Sequence, residues 1–361
     1  MTSLKSLGWN SFFEQQLDLR TDDDLKPARV VEEQRDRFHV VDETGDRAAT
    51  LAGRLRHAAQ THGVDLPCVG DWVMTRAGSD DSAPGPAVIH RVLSRRTRFS
   101  RQDPGRRVGE QVIAANVDTV FLVQSLNRDL NLRRLERYLA LLWESGAQPV
   151  VVLSKADLHP SSSGMREAVG RAAPGVPVHV ASAMTADGLE ELRPYLLDGA
   201  TVALVGSSGV GKSTIVNRLA GEELMQVRAI READDRGRHT TTSRHLVLLP
   251  SGGMLLDTPG MRTVLMWEGA EGLSQTFEDV ETLASTCRFG DCTHRSEPGC
   301  AVRAALESGT LDPSRLQSYD KLQREIRHQA MKTNQRMRLE EERRWKRIHK
   351  EQRSRPDKRR I

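Results

Sequence analysis

Eight residues, Gly206-Ser-Ser-Gly-Val-Gly-Lys-Ser213, constrain this chain more than any other stretch. They match GxxxxGK[ST], and they sit where that pattern has a mechanism: after an apolar run, Thr201–Val205, and before a helix-like run, Thr214–Ala220. Glycines let the backbone wrap an anion, and the N–H groups of Gly206, Ser207, Ser208, Gly209, Val210 and Gly211 would point inward at a helix N-terminus. Lys212 is placed to reach β- and γ-phosphates, Ser213 to ligate Mg²⁺, and Thr214 to follow as the next nucleotide contact. A strand feeding such a loop requires an α/β sheet whose carboxyl edge carries the ligand.

Three further loops follow apolar runs. Asp257-Thr-Pro-Gly260 comes after Met254–Leu256, so Asp257 can hold Mg²⁺ through water and the Gly260 N–H can sense a γ-phosphate. Ser154-Lys155-Ala156-Asp157 comes after Val150–Leu153 and resembles the [NT]KxD loop that selects guanine. Asp157 would accept from the base N1–H and 2-amino group, and Lys155 would lay its stem along the ring. Ser154 departs from the usual asparagine and leaves that side chain's contact open. Ala181-Ser182-Ala183 resembles the second base loop, whose backbone N–H meets the guanine O6. In ordinary GTPases the phosphate loop comes first. Here both base loops precede Gly206, so the order is rotated and a circularly permuted GTPase domain is expected. Chain termini that lie close together in a compact domain permit this.

Between the phosphate loop and Asp257 lies Gly237-Arg-His-Thr-Thr-Thr242. Thr241 is the favoured switch threonine for Mg²⁺, with Thr240 as alternative. Met261 occupies the position where a water-orienting glutamine is common, so His239 is the candidate for orienting the attacking water, beside Thr241 and Lys212 as catalytic residues.

The flanking regions read differently. Residues 1–27 are polar and are expected to form a flexible extension. Five short alternating segments, Ala28–Val31, Phe38–Val41, Ala48–Leu51, Asp71–Thr75 and Ala87–Leu93, predict a small β-barrel over 28–100, OB-type or SH3-like from the pattern alone. Arg91, Arg95, Arg96, Arg98 and Arg101 form a candidate phosphate-facing strip. Residues 101–267 carry the alternating strands and helices of the GTPase domain, and 268–361 a helical zinc domain with a basic helical tail. In that tail Glu340 with Arg344 and Glu342 with Lys346 are favourable i,i+4 pairs, and Pro356 ends the helix. From Asp320 onward there are sixteen Lys/Arg against seven Asp/Glu, which points to a polyanionic partner, nucleic acid rather than membrane.

Cys287-x4-Cys292-x-His294-x5-Cys300 offers three sulfurs and an imidazole, a donor set for one tetrahedral structural Zn²⁺. Clustered metal-binding cysteines, no signal-like N-terminus and no run of membrane-span length predict a cytoplasmic protein.

The whole assembly resembles the ribosome small-subunit-dependent GTPase A family of bacteria. The resemblance rests on Val69-Gly-Asp71, Ala115-Asn-Val-Asp118, the permuted loops, Gly237–Thr242, Asp257-Thr-Pro-Gly-Met-Arg262, Cys287–His294 and Glu297-Pro-Gly-Cys300. It implies an OB barrel, a permuted GTPase domain and a zinc domain. It also implies a monomeric late-stage assembly factor that binds the small ribosomal subunit and its rRNA, exchanges GTP and GDP, and is stimulated by that subunit. An RNA-modifying enzyme gated by GTP is the alternative, although no second catalytic constellation is present for it.

Overall fold

The first apolar residues of the chain are committed to the interior. In the computed structural model, which describes residues 3–17, 24–34, 37–62, 64–78, 85–102, 110–126, 130–159, 163–197, 199–221, 244–250, 252–257 and 270–333, Leu7 and Phe13 are fully buried. Asn10 caps the short helix α1 (Ser11–Glu14) by accepting from the Phe12 N–H. Trp9 packs edge-on against Trp72 with ring centroids 4.8 Å apart. The expectation of a flexible extension over 1–27 therefore needs correction for residues 3–17. Three apolar anchors, spaced irregularly among polar neighbours, bury enough surface to order a segment whose composition is polar.

The alternating segments then close on themselves. Strands β1 (Lys26–Gln34), β2 (Arg37–Asp42), β3 (Gly45–Leu51), β4 (Trp72–Gly78) and β5 (Gly85–Val92) pair in the order β1-β2-β3-β5-β4, and β4 returns to β1 through Lys26–Arg29 against Trp72–Thr75. This closure, with β3 parallel to β5 and helix α2 (Gly53–His62) between β3 and β4, is OB-like and decides between the two barrel readings. Inward-facing Ala28, Val30, Phe38, Val40, Val73 and Ile89 fill it. The sequence pattern did not reveal α2, which among its described side chains buries only Leu55.

A hairpin of β6 (Arg98–Gln102) and β7 (Glu110–Ala115) leads into the central sheet. There β8 (Thr119–Ser125), β9 (Gln148–Ser154), β10 (Val178–Val180), β11 (Thr201–Val205), β12 (Arg244–Leu248) and β13 (Met254–Asp257) run in the order β10-β9-β8-β11-β13-β12. All pairings are parallel except β12 with β13. β8 is buried along its whole length, as a strand covered on both faces must be. Helices α3 (Leu132–Glu144) and α4 (Ser163–Ala172) cover one face through Leu135, Leu139 and Val169. Helix α5 (Lys212–Ala220) and the 3-10 turn Glu190–Leu196 cover the other through Ile215, Leu219 and Leu192. β12 also pairs with β1, Glu32 opposite His245, so barrel and central sheet are continuous.

Past the central sheet, α6 (Ala270–Thr276), α7 (Glu278–Ser285), α8 (Ala301–Glu307) and α9 (Pro313–Thr333) surround Phe277, Val280, Val302, Leu311 and Leu322. The expected pairs at Glu340–Arg344 and Glu342–Lys346 and the stop at Pro356 lie outside the described residues.

Candidate nucleotide and metal sites

The carboxyl ends of β8, β9 and β11 converge, and the loops that leave them touch. Gly206 opens the phosphate loop against the neighbouring strand: a Cβ there would stand 2.2 Å from the Val123 carbonyl oxygen, which excludes any other residue. Gly211, at φ 96°, turns the loop into α5. Ser208 and Gly209 are exposed, while Lys212, Ser213 and Thr214 are half-buried on the first turn of the helix. The Lys212 ammonium lies across the loop, donating to the carbonyls of Gly206 (2.9 Å) and Ser207 (2.7 Å).

Ser154 is joined to this loop directly. Its buried hydroxyl lies 2.6 Å from the Val210 carbonyl oxygen and 3.2 Å from that of Gln124. The sequence left its contact open; the geometry makes it a tether between the base loop and the phosphate loop. Lys155 follows in the left-handed region at φ 60°, an unusual conformation for a lysine and one held by its surroundings. Ala156 and Asp157 enter a 3-10 turn. Asp157 Oδ1 accepts from the Ser182 hydroxyl at 2.6 Å, and that hydroxyl in turn accepts from the N–H groups of Met184 and Thr185. Arg218 of α5 donates to the Ala183 carbonyl at 2.9 Å. The two base loops and the phosphate helix thus form one hydrogen-bonded unit, although 25 residues separate Asp157 from Ser182 and 56 separate Ser154 from Val210.

Asp257 ends β13 opposite His245, so its backbone is at the same sheet edge. The Asp257 side chain, Gly260, Met261, His239, Thr240 and Thr241 lie outside what the structure describes.

In the C-terminal lobe, the ligand atoms of Cys287, Cys292, His294 and Cys300 all lie within 4.8 Å of one another. Cys287 Sγ is 3.9 Å from Cys300 Sγ and 3.7 Å from His294 Nδ1. Zinc–sulfur bonds of about 2.3 Å in a tetrahedron require sulfur separations of about 3.8 Å, so the donor set fits the metal. Burial acts to raise the Cys287 thiol, but the N–H groups of Val302 and Ala301 at the start of α8, together with hydrogen bonds from the Cys300 and Cys292 thiols, outweigh it and hold the thiol below its ordinary value. Cys292 is pushed up to about 11, by burial first and then by the neighbouring thiols. Metal binding would have to displace that proton. Glu297, part of the family resemblance but given no role by the sequence, accepts from the N–H groups of Thr293, Arg295 and Ser296 and fixes the loop between His294 and Cys300. An acidic residue in a tight ligand loop was the available signal.

The arginine strip needs correction. Arg95 turns inward, bonding fully buried Asp71 through Nε and Nη2, both at 2.8 Å, and its guanidinium is pulled above its ordinary value by that carboxylate against the opposing effect of burial. Arg91 donates to the Gln16 carbonyl, and Arg96 pairs with Asp118 at 3.1 Å. Arg98 is exposed, and the Arg101 side chain is outside the described residues. The cleft at this position, about 570 Å³, is lined by Arg95, Arg96, Arg98, Asp65 and Glu144. Its arginines are balanced in part by carboxylates, which weakens it as a phosphate track.

The molecule's relatives agree with this geometry. A family model described as RsgA GTPase matches residues 92–267. The chain is 48% identical over 359 residues to the small ribosomal subunit biogenesis GTPase RsgA of Opitutus terrae, with 98% of each chain covered. It is 46% identical to the small ribosomal subunit biogenesis GTPase RsgA 2 of Lactiplantibacillus plantarum over 89% of each chain. The crystal structure of YjeQ from Thermotoga maritima superposes with a TM-score of 0.62 at 27% identity, covering 84% of this chain and 98% of that one. That of YloQ, described as a circularly permuted GTPase, gives 0.59 at 24% identity, covering 86% and 98%, and shows the shared fold.

Proposed function

Because the chain belongs to the RsgA GTPase family, we propose that it hydrolyses GTP to GDP and phosphate while bound to the small ribosomal subunit, and that it assists late maturation of that subunit. The observation that carries this reading is the tether from Ser154 to the Val210 carbonyl, which brings a guanine-type base loop onto a phosphate loop that follows it in the chain. The names of the relatives favour this reading over a GTP-gated RNA-modifying enzyme.

In this reading the glycine-rich backbone of Gly206–Gly211 cradles the phosphates and Lys212 turns its ammonium from the loop carbonyls to the β- and γ-oxygens. Asp157, oriented by Ser182, accepts from the guanine edge, and the Ala183 N–H faces the base oxygen. Ser213, Thr241 and the Asp257 carboxylate are the residues that would hold Mg²⁺, which when bound neutralises charge building on the transferred phosphate. Gly260 reads the γ-phosphate. His239 orients the attacking water, since Met261 offers no polar atom, and its placement at the γ-phosphate when the subunit is bound accelerates hydrolysis by ~10²–10⁴. Cys287, Cys292, His294 and Cys300 would hold a structural zinc. The modules would divide at about residues 28–100, 101–267 and 268–361, the basic tail contacting rRNA, with the protein acting as a cytoplasmic monomer.

GTP turnover with and without purified small subunits tests the proposal. Acceleration by subunits is expected, His239→Ala should lose most of it while still binding GTP, and Lys212→Ala should lose nucleotide affinity. Turnover indifferent to subunits would refute the ribosomal reading.

A further inference from the structure

The zinc-ligand loop carries a feature that metal binding does not explain. Between Cys287 and Cys292 the chain exposes Phe289, 42% accessible, in a turn whose other residues are Arg288, Gly290 and Asp291. An aromatic ring in a polar turn normally folds under, because exposing it forfeits the stabilisation of burial. Here it cannot. The backbone is pinned on both sides by two of the four clustered ligands, and Cys292 N–H closes the turn onto the Phe289 carbonyl. Arg288 holds its guanidinium over the ring, 5.4 Å from the centroid, and its own stem packs against Gly299, where a Cβ would come within 3.2 Å. The ring is thus propped outward on a rigid base, with a cation against it.

Two arginines, Arg288 and Arg295, and two acids, Asp291 and Glu297, stand in this loop. Neither Arg288 nor Arg295 makes a side-chain ion pair among the described residues, and both are exposed. Of the acids, Glu297 is engaged by the backbone N–H groups of Thr293, Arg295 and Ser296, and Asp291 is exposed in the turn. A fixed, exposed aromatic ring with the Arg288 guanidinium against it, and Arg295 exposed in the same loop, complements an unpaired nucleobase with its phosphates: the base stacks on the ring and the guanidinium groups take the backbone charge.

We propose that Phe289, with Arg288 and Arg295, is a stacking platform for an unpaired base of single-stranded RNA. It deepens the ribosomal reading above by naming a surface and a contact type, but its chemistry does not depend on GTP turnover.

The test uses the full-length, zinc-loaded chain and a single-stranded oligoribonucleotide containing 2-aminopurine, titrated at fixed salt. Phe289→Ala should weaken binding about tenfold. Phe289→Leu, which keeps apolar volume without a ring, should be as weak. Phe289→Trp should bind like the parent, with its emission quenched on titration. Arg295→Ala should lower the slope of log K against log salt by about one. Zinc content should be unchanged throughout. Phe289→Ala or Phe289→Leu binding the oligonucleotide as tightly as the parent would overturn the proposal. So would loss of small-subunit binding with oligonucleotide binding intact, which would assign the ring to a protein surface. If subunits fail to stimulate GTP turnover, the ribosomal reading falls, while the titration still decides the platform.

Discussion

Two buried arginines fasten the two ends of the molecule to the central sheet, and they do it by opposite means. Arg315, on α9, is gripped by carboxylates: Glu136 of α3 at 2.8 Å and Asp279 of α7 at 3.0 and 2.8 Å, with the carbonyls of Ala172 and Thr276 completing the set. Its guanidinium lies over Phe277, 4.4 Å from the ring centroid. Burial opposes its charge, but Asp279 and Glu136 more than compensate and raise it above its ordinary value. Arg29, on β1, is held by dipoles and a ring: the carbonyls of Leu7 and Asn116, both at 3.0 Å, the Thr201 hydroxyl at 3.2 Å, and the Trp72 ring, 5.3 Å from centroid to guanidinium. Burial therefore dominates and pushes it down to about 10. The C-terminal lobe is locked by charge on charge, the N-terminal segment and barrel by charge on dipole. Breaking the first leaves a buried carboxylate uncompensated, whereas breaking the second leaves only unpaired carbonyls.

The largest expected effect separates this lock from the candidate metal site beside it. Cys292→Ser should reduce zinc from about one per chain to none and open the loop from Cys287 to Cys300, because so little apolar surface supports it. The Arg315 contacts all lie outside that loop, so α9 should stay docked on α3. Metal analysis with limited proteolysis reads both. Release of α9 together with the zinc would show that the metal, not the arginine, holds the lobe.

Next comes Arg315→Ala, which strands Glu136 at 5% exposure. Loss of one partner from a buried pair costs about 3–5 kcal/mol, a large share of a domain's stability. Denaturant unfolding should show it, and Glu136→Gln in the same background should recover part of the loss. A change under about 1 kcal/mol would mean that the lock is ornamental.

Arg29→Met should be milder, about 1–3 kcal/mol. It orphans two carbonyls but also removes the cost of holding a charge in a dry site. The sign can be checked through pH. A base depressed in the folded state penalises folding fully below about 10, and the penalty fades as pH rises toward the unfolded value. The stability gap between parent and variant should therefore widen above pH 10, in favour of the parent. A gap that narrows would contradict the assignment.

Both arginines were invisible in the sequence. Each partner lies far along the chain, 179 residues between Arg315 and Glu136 and 172 between Arg29 and Thr201, and nothing local distinguishes a buried arginine from a surface one. Leu7 and Phe13 were missed for a related reason: single apolar anchors among polar residues have no periodicity to detect. The same blindness turned Arg95 into a surface cation, when Asp71 had drawn it inward. What could be read was short in range. The glycines of 206–211 answer to a backbone shape, the Cys/His spacing to a metal radius, and the β8 and β9 runs to burial on both faces. The rotated loop order was legible because each loop carries its own chemistry wherever the chain begins. The OB-like closure was not legible from the strand pattern, only implied by the family resemblance, since it depends on β4 meeting β1, 43 to 49 residues away.

Ser154 supplies the weakest and most specific case, a neutral dipole on a dipole. Its hydroxyl has one proton for two carbonyls, and the shorter contact, to Val210, is the one that crosses from base loop to phosphate loop. Ser154→Ala removes that donor at a fully enclosed position and should cost about 1 kcal/mol, read as roughly fivefold weaker GTP binding with folding stability nearly unchanged. The loss should fall equally on guanosine and xanthosine triphosphates, because the tether sets distance between loops and does not touch the base edge. Asp157→Asn should instead exchange the preference between those two nucleotides. Ser154→Asn brings two donors and could serve both carbonyls at once, so it should match or exceed the parent's affinity if the longer side chain fits beside Gln124. Should Ser154→Ala shift base preference and leave affinity alone, the hydroxyl acts on Asp157 rather than on the phosphate loop, and the gradient from charge lock to dipole tether ends at Arg29.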